Sequence, residues 1–180
     1  MVKEVTAEER EILEALDRAV YSATALAEIQ DVVRRVDNRL IAGTNNMAWE
    51  PIPLDRFGSA LPPMIRSAWV FVLRAGINTG AERHPNSHQR MTSFAGTGNM
   101  DIRGSLHSEW TRNVLISDVD RPLERRWISI PPNVWHQPVI PPGENWVVVS
   151  FHTVPAPELI EERPSTDGDD TETKRMRYLS

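Results

Sequence analysis

Two stretches decide how this chain reads: Gly76-Ile77-Asn78-Thr79-Gly80-Ala81-Glu82-Arg83-His84-Pro85-Asn86-Ser87-His88-Gln89 and Trp127-Ile128-Ser129-Ile130-Pro131-Pro132-Asn133-Val134-Trp135-His136-Gln137. On an extended chain, residues two apart project to one face. Glu82 and His84 therefore point together while Arg83 points away, and the turn at 85–87 brings His88 or Gln89 back to the same side. In the second stretch a strand runs into a Pro-Pro-Asn turn, where Asn readily takes the left-handed conformation. His136 then opens the next strand. A barrel that lays these segments side by side gathers Glu82, His84, His136 and one of His88 and Gln89 around a single point. Imidazole with carboxylate suits Fe(II), Mn, Ni, Cu or Zn and not Ca. Buried without a cation or a full set of hydrogen bonds, such a cluster is costly.

Around these stretches the chain reads as mainly β. Ala68–Arg74, Gln89–Phe94, Asn99–Ile102, Arg126–Ile130 and Trp146–His152 have strand composition, and Gly- and Pro-rich turns separate them. Short strands punctuated this way predict a sandwich or barrel rather than βαβ units. Gly96-Thr97-Gly98 reads as a hairpin turn, since no helix follows to make it a phosphate loop.

Residues 1–45 form a helical extension. Thr6 with Glu9 makes a capping box, and Ile12, Leu13, Leu16, Ala19, Val20 and Ala23 recur at helical spacing. Leu26, Ile29, Val32, Val33, Val36 and Leu40 continue the pattern past a break near Tyr21-Ser22, and Gly43 stops it. Residues 46–160 form the barrel. Residues 161–180 have almost no apolar content at first and a basic close, and are expected to be a flexible tail.

The composition narrows the function. The 180 residues carry 20 Lys+Arg and 25 Asp+Glu, a net charge of -5, which gives no electrostatic case for nucleic acid. With no cysteine, disulfides, thiol nucleophiles and Cys-ligated metals are out. No run approaches the ~18 apolar residues of a membrane helix, and the acidic start is wrong for a targeting peptide. A soluble, cytoplasmic protein is expected. Walker, dinucleotide and Gly-x-Ser-x-Gly motifs are absent.

The two stretches resemble the paired motifs of the cupin superfamily, the small jelly-roll β-barrels of the germin type. The first motif of that family is Gly, five residues, His-x-His, three or four residues, Glu, six residues, Gly. Here Gly76, five residues, Glu82-Arg83-His84, four residues, Gln89, six residues and Gly96 reproduce every spacing, with Glu82 for the first His and Gln89 for the Glu. In the second motif Pro131 and His136 keep register, while Asn133, Arg125 and Ile140 replace Gly, Gly and Asn. The resemblance covers roughly 47–155 and implies a single cupin barrel. It places metal at Glu82, His84, Gln89 and His136, with His88 as a substitute for Gln89. It also implies a divalent transition metal, Fe(II) foremost, and a metal-dependent enzyme acting on a small organic molecule. A non-haem Fe(II) dioxygenase leads; a lyase or isomerase on the same barrel, or a non-catalytic ligand-binding cupin, are the alternatives. A homodimer is expected, with no nucleic-acid or membrane partner. His152, which shares a face with Ser150, and Glu82 are the candidate catalytic groups. Arg83 and Arg90 are expected to form ion pairs away from the ligands, Arg74 to lie at the surface, His107 in a loop, and Trp135 near the pocket mouth.

Overall fold

The computed structural model describes residues 5–59, 61–165 and 173–177. Two helices lead, α1 (Ala7–Val20) and α2 (Ala23–Ala42). Among the described residues ten strands follow: β1 (Met47–Pro51), β2 (Ser67–Leu73), β3 (Gln89–Ala95), β4 (Thr97–Arg103), β5 (Thr111–Ile116), β6 (Trp127–Ile130), β7 (Trp135–Val139), β8 (Trp146–His152), β9 (Ile160–Pro164) and β10 (Thr173–Arg177). A five-stranded sheet in the order β1-β2-β8-β3-β6 faces a three-stranded sheet, β5-β4-β7, and β9 pairs with β10 as a ribbon. All of these pairings are antiparallel.

The large sheet has apolar layers on both faces. Ala68, Val70, Val72, Val147, Val149 and Phe151 pack with the apolar stripes of α1 and α2. Their neighbours Trp69, Phe71, Leu73, Trp146 and Val148 pack into the barrel interior. Every position of β2 and β8 is consequently buried. That is why these antiparallel strands read as continuous apolar runs instead of alternating ones. Gly98 belongs to the interior: a Cβ there would lie 2.1 Å from the Trp146 ring.

The helical reading holds. Thr6 caps α1, its Oγ1 accepting from Glu9 N–H (3.2 Å), and Ser22 caps α2. The glutamate half of the capping box is spent elsewhere, because the Glu9 carboxylate takes both a two-pronged contact from Arg90 (2.7 and 2.7 Å) and the hydroxyl of Ser129 (2.6 Å). Asp17 likewise accepts from Arg126 and from Trp127 Nε1 (2.7 Å). These two carboxylates pin α1 to β3 and β6. Arg74 donates to the carbonyls of Leu40 (2.7 Å) and Gly43 (3.0 Å), where a cation satisfies the end of α2. No helix among the described residues is long and apolar enough to cross a membrane.

Two expectations are corrected. The turn at Gly96 (φ +79°) is not a hairpin, since β3 pairs with β8 and β6 while β4 pairs with β5 and β7. It carries the chain from one sheet to the other. The C-terminal segment is also not tail throughout. Ile160–Pro164 is a strand with Glu161 and Glu162 buried, paired to Thr173–Arg177, while residues 166–172 and 178–180 lie outside the described residues. Its polar side chains find partners inside the fold, so low apolar content misleads there.

The α1 clamp makes stability depend on pH. Burial alone would raise the Glu9 carboxyl. The hydrogen bonds from Arg90 and Ser129, with the nearby charges of Arg90 and His88, outweigh it and hold Glu9 below its ordinary value. A depressed carboxyl stabilises the fold fully above its unfolded value of 4.5, and that stability is lost as pH falls below it. The melting-temperature gap between wild type and Glu9→Gln should be widest near neutrality and close as the pH is taken below that value. A gap independent of pH would remove Glu9 from the clamp.

Candidate metal centre

Glu82 and His84 lie on an extended segment that bridges to its neighbours at single points rather than forming a regular strand: Glu82 opposite His136, Arg83 opposite Glu162. Glu82 N–H donates to His136 O (2.9 Å) and His136 N–H donates to Glu82 O (2.8 Å), so the two residues face each other directly. The turn before His136 holds Asn133 at φ +65° and donates Asn133 N–H to His84 O (3.1 Å), as the Pro-Pro-Asn sequence predicts.

Backbone register thus brings three side chains together. Oε1 of Glu82 lies 3.4 Å from His136 Nε2 and 4.0 Å from His84 Nε2. One donor atom from each of Glu82, His84 and His136 falls within 4.8 Å of the others, and all three residues are buried. The hydrogen bonds on the far sides of the rings fix their tautomers. His84 Nδ1 sits 2.9 Å from Ile160 O and His136 Nδ1 3.1 Å from Val134 O. A carbonyl only accepts, so each Nδ1 carries a proton, and Nε2 is the nitrogen each ring turns toward the cluster.

Electrostatics agree with this assignment. Burial, reinforced by the neighbouring charge of His136, pushes His84 down to about 4. Glu82 is pushed up by burial, but His136, His84 and the Arg163 guanidinium more than compensate and hold it at about 2. At neutral pH the Glu82 carboxylate then faces the neutral His84 imidazole at close range. This is the protonation state a cation requires of its ligands, and it is unfavourable without one. The residues fit a divalent transition metal.

The other expected ligands separate. Gln89 lines the same cavity as Glu82 and His136. Its Nε2 donates to Ser150 Oγ (3.0 Å), while its buried Oε1 accepts no hydrogen bond among the described residues. It is placed as a further neutral oxygen donor. His88 is not. The strand begins at Gln89, and alternation puts His88 with Arg90 on the helix-facing side. There its Nε2 lies 2.7 Å from Ser129 Oγ and 3.9 Å from Glu9. His152 is fully buried and stands edge-on to His84 at 4.9 Å between ring centres. Its nitrogens sit 3.2 Å from Ser87 Oγ and 3.2 Å from Ser150 Oγ. Burial, together with the charges of the other histidines, drives it well below its ordinary value. Trp135 is buried under the Arg83 guanidinium, 4.7 Å from its ring centre, and does not line the cavity. Arg83 also pairs with Glu162 (2.7 Å), and Arg90 with Glu9, as expected.

Sequence reasoning missed Arg163 and Glu161. Nη2 of Arg163 donates to Oε2 of Glu82 (2.7 Å) and Nη1 to Thr79 O (3.2 Å); the same guanidinium pairs with buried Glu161. Their i, i+2 spacing was the available signal, but it lay in a polar run with no apolar residues to phase it. Phe71, Leu73, Met91, Met100 and Val148 complete the cavity wall. Its free space is about 30 Å³, room for roughly two waters.

No family model and no curated protein matches the sequence. Solved structures do. The capsular polysaccharide assembling protein CapF from Staphylococcus aureus superposes with TM-score 0.50 at 13% identity, over 73% of this chain and 30% of that one. The fold is that of the cupins. This chain spans less than a third of the CapF chain, and at such identity the likeness concerns the fold alone. Other cupin-fold structures superpose more loosely. An oxalate oxidase in complex with the substrate analogue glycolate does so with TM-score 0.46 at 19% identity, over 63% of this chain and 55% of that one. A sugar phosphate isomerase of the cupin superfamily from Silicibacter pomeroyi does so with TM-score 0.46 at 12% identity, over 72% and 76%. Within the cupin frame, the degenerate motif positions Glu82, His84 and His136 are the ones that converge.

Proposed function

We propose that this cupin is a metal-dependent enzyme acting on a small organic molecule, with a non-haem Fe(II) dioxygenase as the leading reaction class. The observation that carries the reading is the convergence of one carboxylate oxygen and two imidazole Nε2 atoms, with both rings fixed from behind by backbone carbonyls. Two His and one carboxylate is the donor set of non-haem iron oxygenases. When bound, the metal would act as a Lewis acid toward the substrate and, as iron, exchange electrons with oxygen. Glu82, His84 and His136 would hold it, with Gln89 Oε1 beside them. The apolar wall leaves room for few waters and so strengthens the electrostatic contacts inside. The small free volume favours a compact substrate.

A lyase or isomerase is the second reading, favoured by His152. Its ring is held neutral, and its Nε2 lies 3.2 Å from the hydroxyl of Ser150, which lines the cavity, an arrangement suited to moving a proton. Elemental analysis of the purified protein, followed by oxygen uptake with phenols, diketones and thiols, separates the readings. Near-stoichiometric metal with substrate-dependent uptake is expected. Metal without uptake moves the assignment to proton transfer, and a barrel that takes up neither iron, manganese, nickel nor zinc leaves a metal-free ligand-binding module.

A further inference from the structure

Strand β9 lies against the cluster and touches two of its three donors from behind. The Ile160 carbonyl accepts from His84 Nδ1 (2.9 Å). Arg163, three residues on, donates to Oε2 of Glu82 (2.7 Å). Between them the backbones of Arg83 and Glu162 exchange two hydrogen bonds (3.0 and 2.9 Å), which lock β9 in register with the ligand-bearing segment.

Resting on the metal-centre reading above, we infer that the C-terminal strand β9 is a working part of that centre, and that Arg163 is its positioning residue. By holding one carboxylate oxygen of Glu82, Arg163 leaves the other turned to the two imidazoles. A carboxylate on a side chain with three torsions has no preferred direction of its own. The guanidinium, a planar fork with further anchors on Thr79 O and Glu161, supplies one. Its positive charge would oppose a cation, but Glu161 is paired to the same guanidinium and offsets it. Loss of orientation is therefore the larger effect of removing Arg163, and it weakens metal binding. Arg175 provides the comparison. It sits on the paired strand β10 and binds Glu162 (2.8 Å) without touching any of the three donors.

The test is titration of the full chain with Co(II), followed by its visible absorption, in wild type, Arg163→Met, Arg163→Lys and Arg175→Met, with melting temperatures recorded alongside. Removing a partner that orients a ligand weakens metal binding about 10–100-fold. Arg163→Met should show that loss and an altered Co(II) spectrum, Arg163→Lys should recover part of both, and Arg175→Met should bind as wild type does. If Arg163→Met binds Co(II) as tightly as wild type or more tightly, the positioning role is overturned and the metal centre stands. Equal losses in Arg163→Met and Arg175→Met would reduce the effect to general loosening of the ribbon, and also overturn it. A wild-type protein that binds no Co(II) overturns the metal centre itself and this inference with it.

Discussion

His136→Ala should lower metal affinity at least about 100-fold while the barrel stays folded. Its Nε2 is the donor nearest the Glu82 carboxylate, at 3.4 Å, and no other histidine among the described residues points into the cluster from that side. His84 arrives from the same segment as Glu82, so His136 is the one donor of the three that β7 supplies. Losing a residue that merely orients a ligand costs roughly 10–100-fold, and losing a ligand costs at least the upper end of that range. The fold is expected to survive because the bridge between Glu82 and His136 is backbone to backbone, 2.9 and 2.8 Å, and alanine keeps it. Metal content after dialysis against a fixed free concentration, set beside circular dichroism, reads both halves. His107→Ala, in the loop after β4, serves as the control. Wild-type metal content in His136→Ala would end the three-donor reading.

Phe151→Ala should produce the largest loss of stability, about 3–5 kcal/mol for a fully buried aromatic residue. Phe151 is completely buried on the helix-facing side of β8. Its ring meets Phe57 edge-on at 5.0 Å and lies over Trp127 at 6.1 Å. It therefore joins the helices, the segment before β2 and the large sheet at one point. Domains of this size are held together by only about 5–15 kcal/mol, so the loss is a large share of the total. It corresponds to a fall in Tm of roughly 6–20 °C. Urea unfolding measures it directly. A change below about 1 kcal/mol would mean that the helical layer is not part of the cooperative core.

The two stretches that announce the fold also carry the site, which is why so much of both was legible. Period-two spacing put Glu82 with His84 and sent Arg83 the other way, toward Glu162 and Trp135. Asn133 took the positive φ that its turn demanded. Strand β8, Trp146–His152, was legible because the apolar run Trp-Val-Val-Val follows a Pro-Pro-Gly turn and Phe151 continues it past Ser150. The choice between His88 and Gln89 was not legible, because it depends on which of two adjacent residues begins β3, and a shift of one residue reverses every side chain. The short strands β1 and β5 were missed. β5 is an edge strand of Thr-Arg-Asn-Val-Leu-Ile with no clean alternation, and β1 is an edge strand cut short by a proline.

Local sequence was enough for whatever obeys local rules. The helix cap at Thr6, the break near Tyr21-Ser22, the periodic faces, the turn at Asn133, and the pairing of a carboxylate with an imidazole two residues away all follow from steric preference and spacing. Arg163 on Glu82, Ile160 behind His84, and Glu9 shared between Arg90 and Ser129 link residues about 75 to 120 positions apart in the chain. Ion pairs and hydrogen bonds of that span leave no periodic trace, since each partner is locally an ordinary polar residue. Only the packing of β9 and α1 against the barrel decides that these groups are buried, and burial gives them their partners, their protonation states and their place around the site.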